Sequence, residues 1–133
     1  MHLKGFEKLG INIREEYGEI ICNTEKVQGA QIHLDFPSVG ATENIILASC
    51  LAEGITVLTN AAKEPEIEDL VKFLNKAGAK IKGEGTDRIE IIGVKRLAEI
   101  SYNIMPDRIE AGTYLVAGAI TGGNIKITKA NPR

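Results

Sequence analysis

Apolar residues recur along this chain in two rhythms. Residues 31–36 alternate, with Ile32 and Leu34 set against Gln31, His33 and Asp35, the period-2 pattern of a strand. Residues 41–53 are apolar nearly all round after a polar first turn and stop at Gly54, which reads as a helix. Residues 55–60 alternate again, Ile55 and Val57 against Thr56. Pro65 opens a second helix that runs to Gly78. It is amphipathic, with Ile67, Leu70, Val71 and Leu74 on one face and Glu68, Asp69, Lys72 and Asn75 opposite. Residues 79–82 and 88–94 read as strands joined by the hairpin turn Gly83-Glu84-Gly85-Thr86-Asp87. The order is β-α-β-α-β-β.

The same order repeats. Moved by 69 positions, residues 37–61 fall on 106–130 without a gap, Pro37 on Pro106, Ala48 on Ala117 and Gly54 on Gly123. At an offset of 68, residues 6–10 fall on 74–78 and Ile13 on Ile81. The chain therefore enters at the second helix of one unit, followed by strands near 11–14 and 19–22. It contains one whole unit at about 30–95 and ends with the β-α-β of a third. Helices 41–53 and 112–120 are apolar on every side and need cover on every side, whereas the strands alternate and suit sheets with one wet face. The expectation is an α/β fold with helices inside and sheets outside, and with helix 41–53 almost fully buried.

Composition narrows the class. At 133 residues the chain supports one modest domain, and a net charge of −2 with both signs interspersed advertises neither nucleic acid nor a membrane surface. No apolar run approaches the roughly 20 residues of a membrane span, and the first residues lack a signal-peptide core. Two cysteines make no disulfide framework. A cytoplasmic protein is expected.

Four stretches carry a resemblance. Residues 34–45 (LDFPSVGATENI), 60–67 (NAAKEPEI), 85–89 (GTDRI) and 105–113 (MPDRIEAGT) resemble the UDP-N-acetylglucosamine enolpyruvyl transferases, especially the Gram-positive forms. The likeness covers all 133 residues in the family's order but about a third of a full enzyme. It implies an inside-out α/β barrel of two lobes, each with three β-α-β-α-β-β units. Residues 1–105 would be the latter part of the first lobe and 106–133 the beginning of the second. The family reaction moves the enolpyruvyl group of phosphoenolpyruvate to the 3-hydroxyl of UDP-N-acetylglucosamine in peptidoglycan synthesis, with no metal or organic cofactor. The implied partners are those two substrates, with no nucleic acid and no membrane. The incomplete terminal units are complementary halves, an expectation of pairing within one chain or across a homodimer.

The candidate site is the loop Ser38-Val39-Gly40, between a strand and a helix start. Free backbone amides and the helix dipole favour an anion there, and Gly40 admits close approach. The plainer reading is a serine N-cap with a turn glycine. The resemblance assigns this loop, after Pro37, to the UDP part of the substrate. Phe36 stands where many family members have a lysine, which weakens charge pairing. The repeat-equivalent loop has Asp107 to cap the next helix and no glycine to admit a ligand. Glu64 and Glu66 flank Pro65 at a helix start, a commonplace position for carboxylates; the resemblance puts them near the cleft in a supporting role. Asp107, Arg108 and Glu110 correspond to the crossing between lobes, where an ion-pair or positioning role is implied.

His2 matches the end of a family motif that contacts the uridine nucleotide, yet reads here as a frayed terminal residue, and His33 should face solvent. Cys22 and Cys50 both read as small core residues. The family's reactive cysteine and its phosphoenolpyruvate-gripping basic residues correspond to positions outside the chain, so no catalytic residue is assigned and the chain alone is expected to be inactive. Two enzyme families share the repeat, the shikimate-pathway enolpyruvyl transferase and RNA 3′-phosphate cyclase, but their basic and histidine motifs are not seen. A free-standing nucleotide-sugar-binding or assembly module is the alternative of a different class.

Overall fold

The computed structural model describes residues 1–131 and divides into two compact units, Met1–Tyr102 and Asn103–Arg133. Pro132 and Arg133, which the sequence reading includes in the second lobe, lie outside the described residues.

The first unit runs α1 (His2–Lys8), β1 (Asn12–Glu16), β2 (Glu19–Asn23), β3 (Gln31–His33), α2 (Val39–Ser49), β4 (Ile55–Thr59), α3 (Pro65–Lys76), β5 (Lys80–Lys82) and β6 (Arg88–Ile92). From β3 to β6 this is the expected β-α-β-α-β-β unit. Its sheet has the order β3-β4-β6-β5, with β3 parallel to β4 and the other pairs antiparallel. The strands β1 and β2 form a separate two-stranded ribbon. Their tight turn is Tyr17-Gly18, both at positive φ (52° and 82°), the backbone a two-residue hairpin needs.

The core lies between the sheet and the helices. It gathers Ile32 of β3, Leu58 of β4, Ile81 of β5 and Ile89 and Ile91 of β6 against Ile45 and Ile46 of α2 and Ile67, Val71 and Leu74 of α3. The amphipathic reading of α3 holds. The facing of β4 departs from the expectation at Ile55 and Thr56, while Val57 is buried (6%) as expected. Thr56, at 1% exposure, points inward with Leu58, while Ile55 is 51% exposed on the outer face. The register explains this. Thr56 pairs with Ile91 and Leu58 with Ile89, so the isoleucines of β6 and the leucine of β4 share one face, and a one-residue slip would turn all of them out.

Helix α2 is also less covered than its polarity suggested. Ala41, Thr42, Ile45 and Ile46 are buried, but Leu47, and Leu51 just past the end of the helix, are about half exposed (49% and 57%). Its inner side is packed by α1, where Gly5 lies so close to Ile45 that an added Cβ would fall 2.7 Å from its Cδ1. The other side presents leucine to solvent among the described residues.

The second unit holds α4 (Arg108–Thr121), which starts 69 residues after α2, at the spacing of the repeat. It ends on Gly122 in the left-handed conformation, a C-cap suited to glycine. The strands expected on either side, at 100–105 and near 125–127, do not form. A strand is defined by its ladder, and in the first unit β4 is held between β3 and β6. Here Ile125 instead folds onto α4 beside Gly118.

Candidate functional site

The N-terminus of α2 is built by Ser38. Its backbone is extended (φ −126°, ψ 121°) and its Oγ accepts from the Ala41 amide at 3.3 Å. The capping reading is therefore correct, and it leaves the anion reading intact. The hydroxyl uses a lone pair on the cap and keeps its hydrogen to donate. The first-turn amides of Val39 and Gly40 have no partner within the helix.

His2 is where the sequence reading fails. It is no frayed end. It is the first residue of α1, and its ring lies against Gly40, 3.4 Å from where a Cβ would stand. Asn44, one turn into α2, places its Nδ2 2.7 Å from His2 Nδ1. With Nδ1 accepting from that amide, the neutral ring carries its proton on Nε2. The imidazole thus belongs to the Ser38–Gly40 loop, a proximity that only the packing of α1 on α2 creates.

Beside the loop, a surface pocket of about 460 Å³ is lined by Pro37, Asn60, Ala61, Lys63, Glu64 and Asp87. Three contacts hold it. Asn60, at φ 56°, donates its side-chain amide to the Leu34 carbonyl at 2.8 Å. The Ala61 amide donates to the Asp87 carbonyl at 3.1 Å. The buried Thr42 hydroxyl accepts from the Ala62 amide at 3.0 Å, tying the first turn of α2 to the same segment. Lys63 and Asp87 pair at 4.0 Å, which leaves Glu64 as the unneutralised charge of the lining. Of the supporting candidates, Pro37 and Glu64 meet in this pocket. Glu66 stands in the first turn of α3, half-buried and engaged in an interaction of its own. Lys63, Asn60 and Asp87 were missed. The left-handed backbone at Asn60 is the one feature a sequence could have flagged, because asparagine tolerates it.

In the second unit Asp107 caps α4, its Oδ1 accepting from the amides of Ile109 (2.8 Å) and Glu110 (3.0 Å). Arg108 is the exposed first residue of the helix and makes an interaction of its own. Pro106, Asp107 and Glu110 line a pocket of about 310 Å³ with Lys126, Lys129 and Ala130. Pro106, Lys129 and Ala130 are the repeat mates of Pro37, Asn60 and Ala61. The backbone repeats too, with φ 56° at Asn60 and 59° at Lys129.

The cysteines divide. Cys50 is a core residue, and burial pushes its thiol above the usual range. Cys22 is exposed on β2, contrary to expectation, because the ribbon it belongs to has no sheet or helix laid over that strand among the described residues. His33 faces out and meets the Thr59 hydroxyl at 2.9 Å. No group of three or more His, Cys, Asp or Glu side chains that could hold a metal occurs among the described residues, and no helix there is long and apolar enough to cross a membrane.

Comparison with known proteins gives one consistent answer. The pattern of the family EPSP synthase (3-phosphoshikimate 1-carboxyvinyltransferase) matches residues 1–133. The chain is 61% identical over 130 residues to UDP-N-acetylglucosamine 1-carboxyvinyltransferase 2 of Caldanaerobacter subterraneus subsp. tengcongensis, covering 98% of this chain and 31% of that protein. It is 55% identical over 127 residues to UDP-N-acetylglucosamine 1-carboxyvinyltransferase of Geobacter metallireducens, covering 96% and 30%. The chain thus spans about 30% of the length of the curated relatives it matches. Among solved structures, the enolpyruvyl transferase NikO from Streptomyces tendae superposes with a TM-score of 0.76 at 23% identity, over 88% of this chain and 30% of that one, a likeness of fold. EPSP synthase from Acinetobacter baumannii gives 0.67 at 25%, over 90% and 27%. With the family pattern matched from the first residue to the last, the chain belongs to the EPSP synthase family of enolpyruvyl transferases.

Proposed function

We propose that these residues form the nucleotide-sugar-holding part of a UDP-N-acetylglucosamine 1-carboxyvinyltransferase. The observation that carries this is 61% identity over 98% of the chain to a protein of that name. The site geometry supports it. The Val39 and Gly40 amides, the Ser38 hydroxyl and the positive end of the α2 dipole suit the diphosphate of a UDP-sugar, and the Nε2–H of His2 is a further donor beside them. In the whole enzyme the sugar 3-oxygen bonds to C2 of phosphoenolpyruvate while C3 takes a proton. Phosphate then leaves C2, C3 returns a proton, and the sugar hydroxyl's proton is released. The acid, the base and the groups that grip phosphoenolpyruvate belong to the rest of that enzyme, so residues 1–133 bind without turnover. Glu64 and Glu66 border the site as supporting groups, and Asp107 and Arg108 take an ion-pair or positioning role at the start of α4. The reaction serves cell-wall synthesis in the cytoplasm.

The direct test is a titration of the labelled chain with UDP-N-acetylglucosamine followed by amide shifts. Val39, Gly40 and the His2 ring should move together at millimolar ligand, and UDP alone should reproduce most of the change. Absence of movement at all three would refute the assignment.

Residues 1–133 by themselves also pair as a homodimer in this reading. Laid on the register of β4 with β6, the free edge of β2 takes residues 124–128 of a second copy, with Cys22 opposite Ile125 and Ile20 opposite Ile127. Ile20 and Ile125 are exposed at present. Light scattering should give twice 14.4 kDa, reverting to one chain mass on Ile20→Lys; a monomer at every concentration would exclude it.

A further inference from the structure

Helix α1 packs tightly on α2, and a glycine permits it. A Cβ on Gly5 would fall 2.7 Å from Cδ1 and 2.9 Å from Cγ1 of Ile45, which is fully buried and has no room to retreat. His2 lies one turn before Gly5 on the same side of α1, so the same approach lays its ring against the first turn of α2. The ring edge that arrives there is Cε1–Nε2, at 3.4 Å and 3.9 Å from where a Cβ on Gly40 would stand. The other nitrogen, Nδ1, meets Asn44 Nδ2 at 2.7 Å.

The two ring nitrogens therefore have separate surroundings. Gly40 and Asn44 are four residues apart in α2 and share one stripe of the helix, so the first receives Nε2 and the second Nδ1. A carboxamide nitrogen only donates, and a neutral imidazole carries one proton. Nδ1 must then accept, and Nε2 must hold the hydrogen. Among the described residues Asn44 is the ring's one hydrogen-bond partner, so nothing else there selects the tautomer. Asn44 is itself exposed while the ring is half-buried, which leaves the asparagine little part in holding the core together.

We propose that Asn44 is a positioning residue of the anion site: by donating to Nδ1 of His2 it keeps the ring proton on Nε2, beside the amides of Val39 and Gly40. The role rests on the nucleotide-sugar reading above. With the proton on Nε2, the ring adds a donor to the two amides and the Ser38 hydroxyl. The reversed tautomer would set a lone pair against a diphosphate oxygen, and two acceptors repel. Asn44 thus acts on the ligand through the imidazole and has no need to touch it. Fixing the ring before the ligand arrives also spares part of the ordering cost of binding.

Two measurements on the isotope-labelled chain test this. The first needs no ligand. At pH 8 the nitrogen shifts of the His2 ring should show Nε2 protonated and Nδ1 bare, and Asn44→Asp, which offers only acceptors, should place a proton on Nδ1. The second is the affinity for UDP, read from the amide shifts of Val39 and Gly40. Asn44→Ala should weaken it about tenfold, the scale of one hydrogen bond to a charged group. In a His2→Ala background the same change should cost nothing further, whereas a merely structural role would cost as much in both. Alanine at an exposed helical position favours the helix, so the variant folds. Nδ1 protonated in the wild type, or equal losses in the two backgrounds, would overturn the inference. A wild type that does not bind UDP would instead sink the nucleotide-sugar reading, and the ring nitrogens would still decide whether Asn44 sets the tautomer.

Discussion

The same substitution, threonine to valine, should act with opposite sign at two buried positions of the first unit. Thr42 is fully buried, and its Oγ1 accepts from the amide of Ala62, itself fully buried. Valine keeps the shape but removes the acceptor. The stranded amide costs about 1–3 kcal/mol, and the added methyl offsets less than about 1 kcal/mol of that. Thr56 is 1% exposed, and its hydroxyl has no hydrogen-bond partner among the described residues. Its burial already carries a desolvation cost of about 1–3 kcal/mol on the scale of protein substitutions. Thr56→Val removes that cost. The two variants should therefore differ by about 1–6 kcal/mol. With a urea slope of about 2 kcal/mol per molar, their midpoints should lie about 0.5–3 M apart on either side of wild type. Circular dichroism in urea gives the midpoints, and an unchanged slope shows that the two ends of the transition are the same. Amide exchange at Ala62 should accelerate in Thr42→Val alone. Midpoints displaced in the same direction, or an Ala62 amide as protected as in wild type, would refute the argument from hydrogen-bond satisfaction.

The two caps should behave as repeat mates. Ser38→Ala and Asp107→Ala should each cost about 1 kcal/mol of helix stability, read as faster exchange at Ala41 in one case and at Ile109 and Glu110 in the other. An Ala41 amide indifferent to Ser38→Ala would mean that the hydroxyl is not its acceptor. The thiols should separate under a disulfide reagent at pH 8. Cys22 should react at once and Cys50 only on unfolding, because burial both blocks access to Cys50 and disfavours its thiolate. Two equivalents reacting together would show that α2 opens far more readily than its packing implies.

Much of this protein is written in local sequence. The rhythm of residues 65–78 specifies α3 and its buried face, since Ile67, Val71 and Leu74 fall on one stripe whatever they pack against. Ser38 and Asp107 mark two helix starts 69 residues apart, because a side chain that caps a helix acts on amides two or three positions away and needs no tertiary partner. The loop Ser38–Gly40 was legible for the same reason. Other features depend on who the neighbours are. Thr56 rather than Ile55 faces the core because β6 fixes the register of β4, and alternation alone cannot choose between two faces. His2 joins Gly40 because α1 crosses α2, forty residues along the chain. Tyr102 meets Asp69 because residues 93–102 are laid over a face of α3 whose polarity reads as wet. Residues 124–128 carry the pattern of β4 yet form no strand, since that pattern supplies one face to bury while the ladder must come from another segment. Hydrogen bonds and side-chain contacts within a turn are set by the chain itself. Those between segments tens of residues apart are decided only when the whole unit has packed.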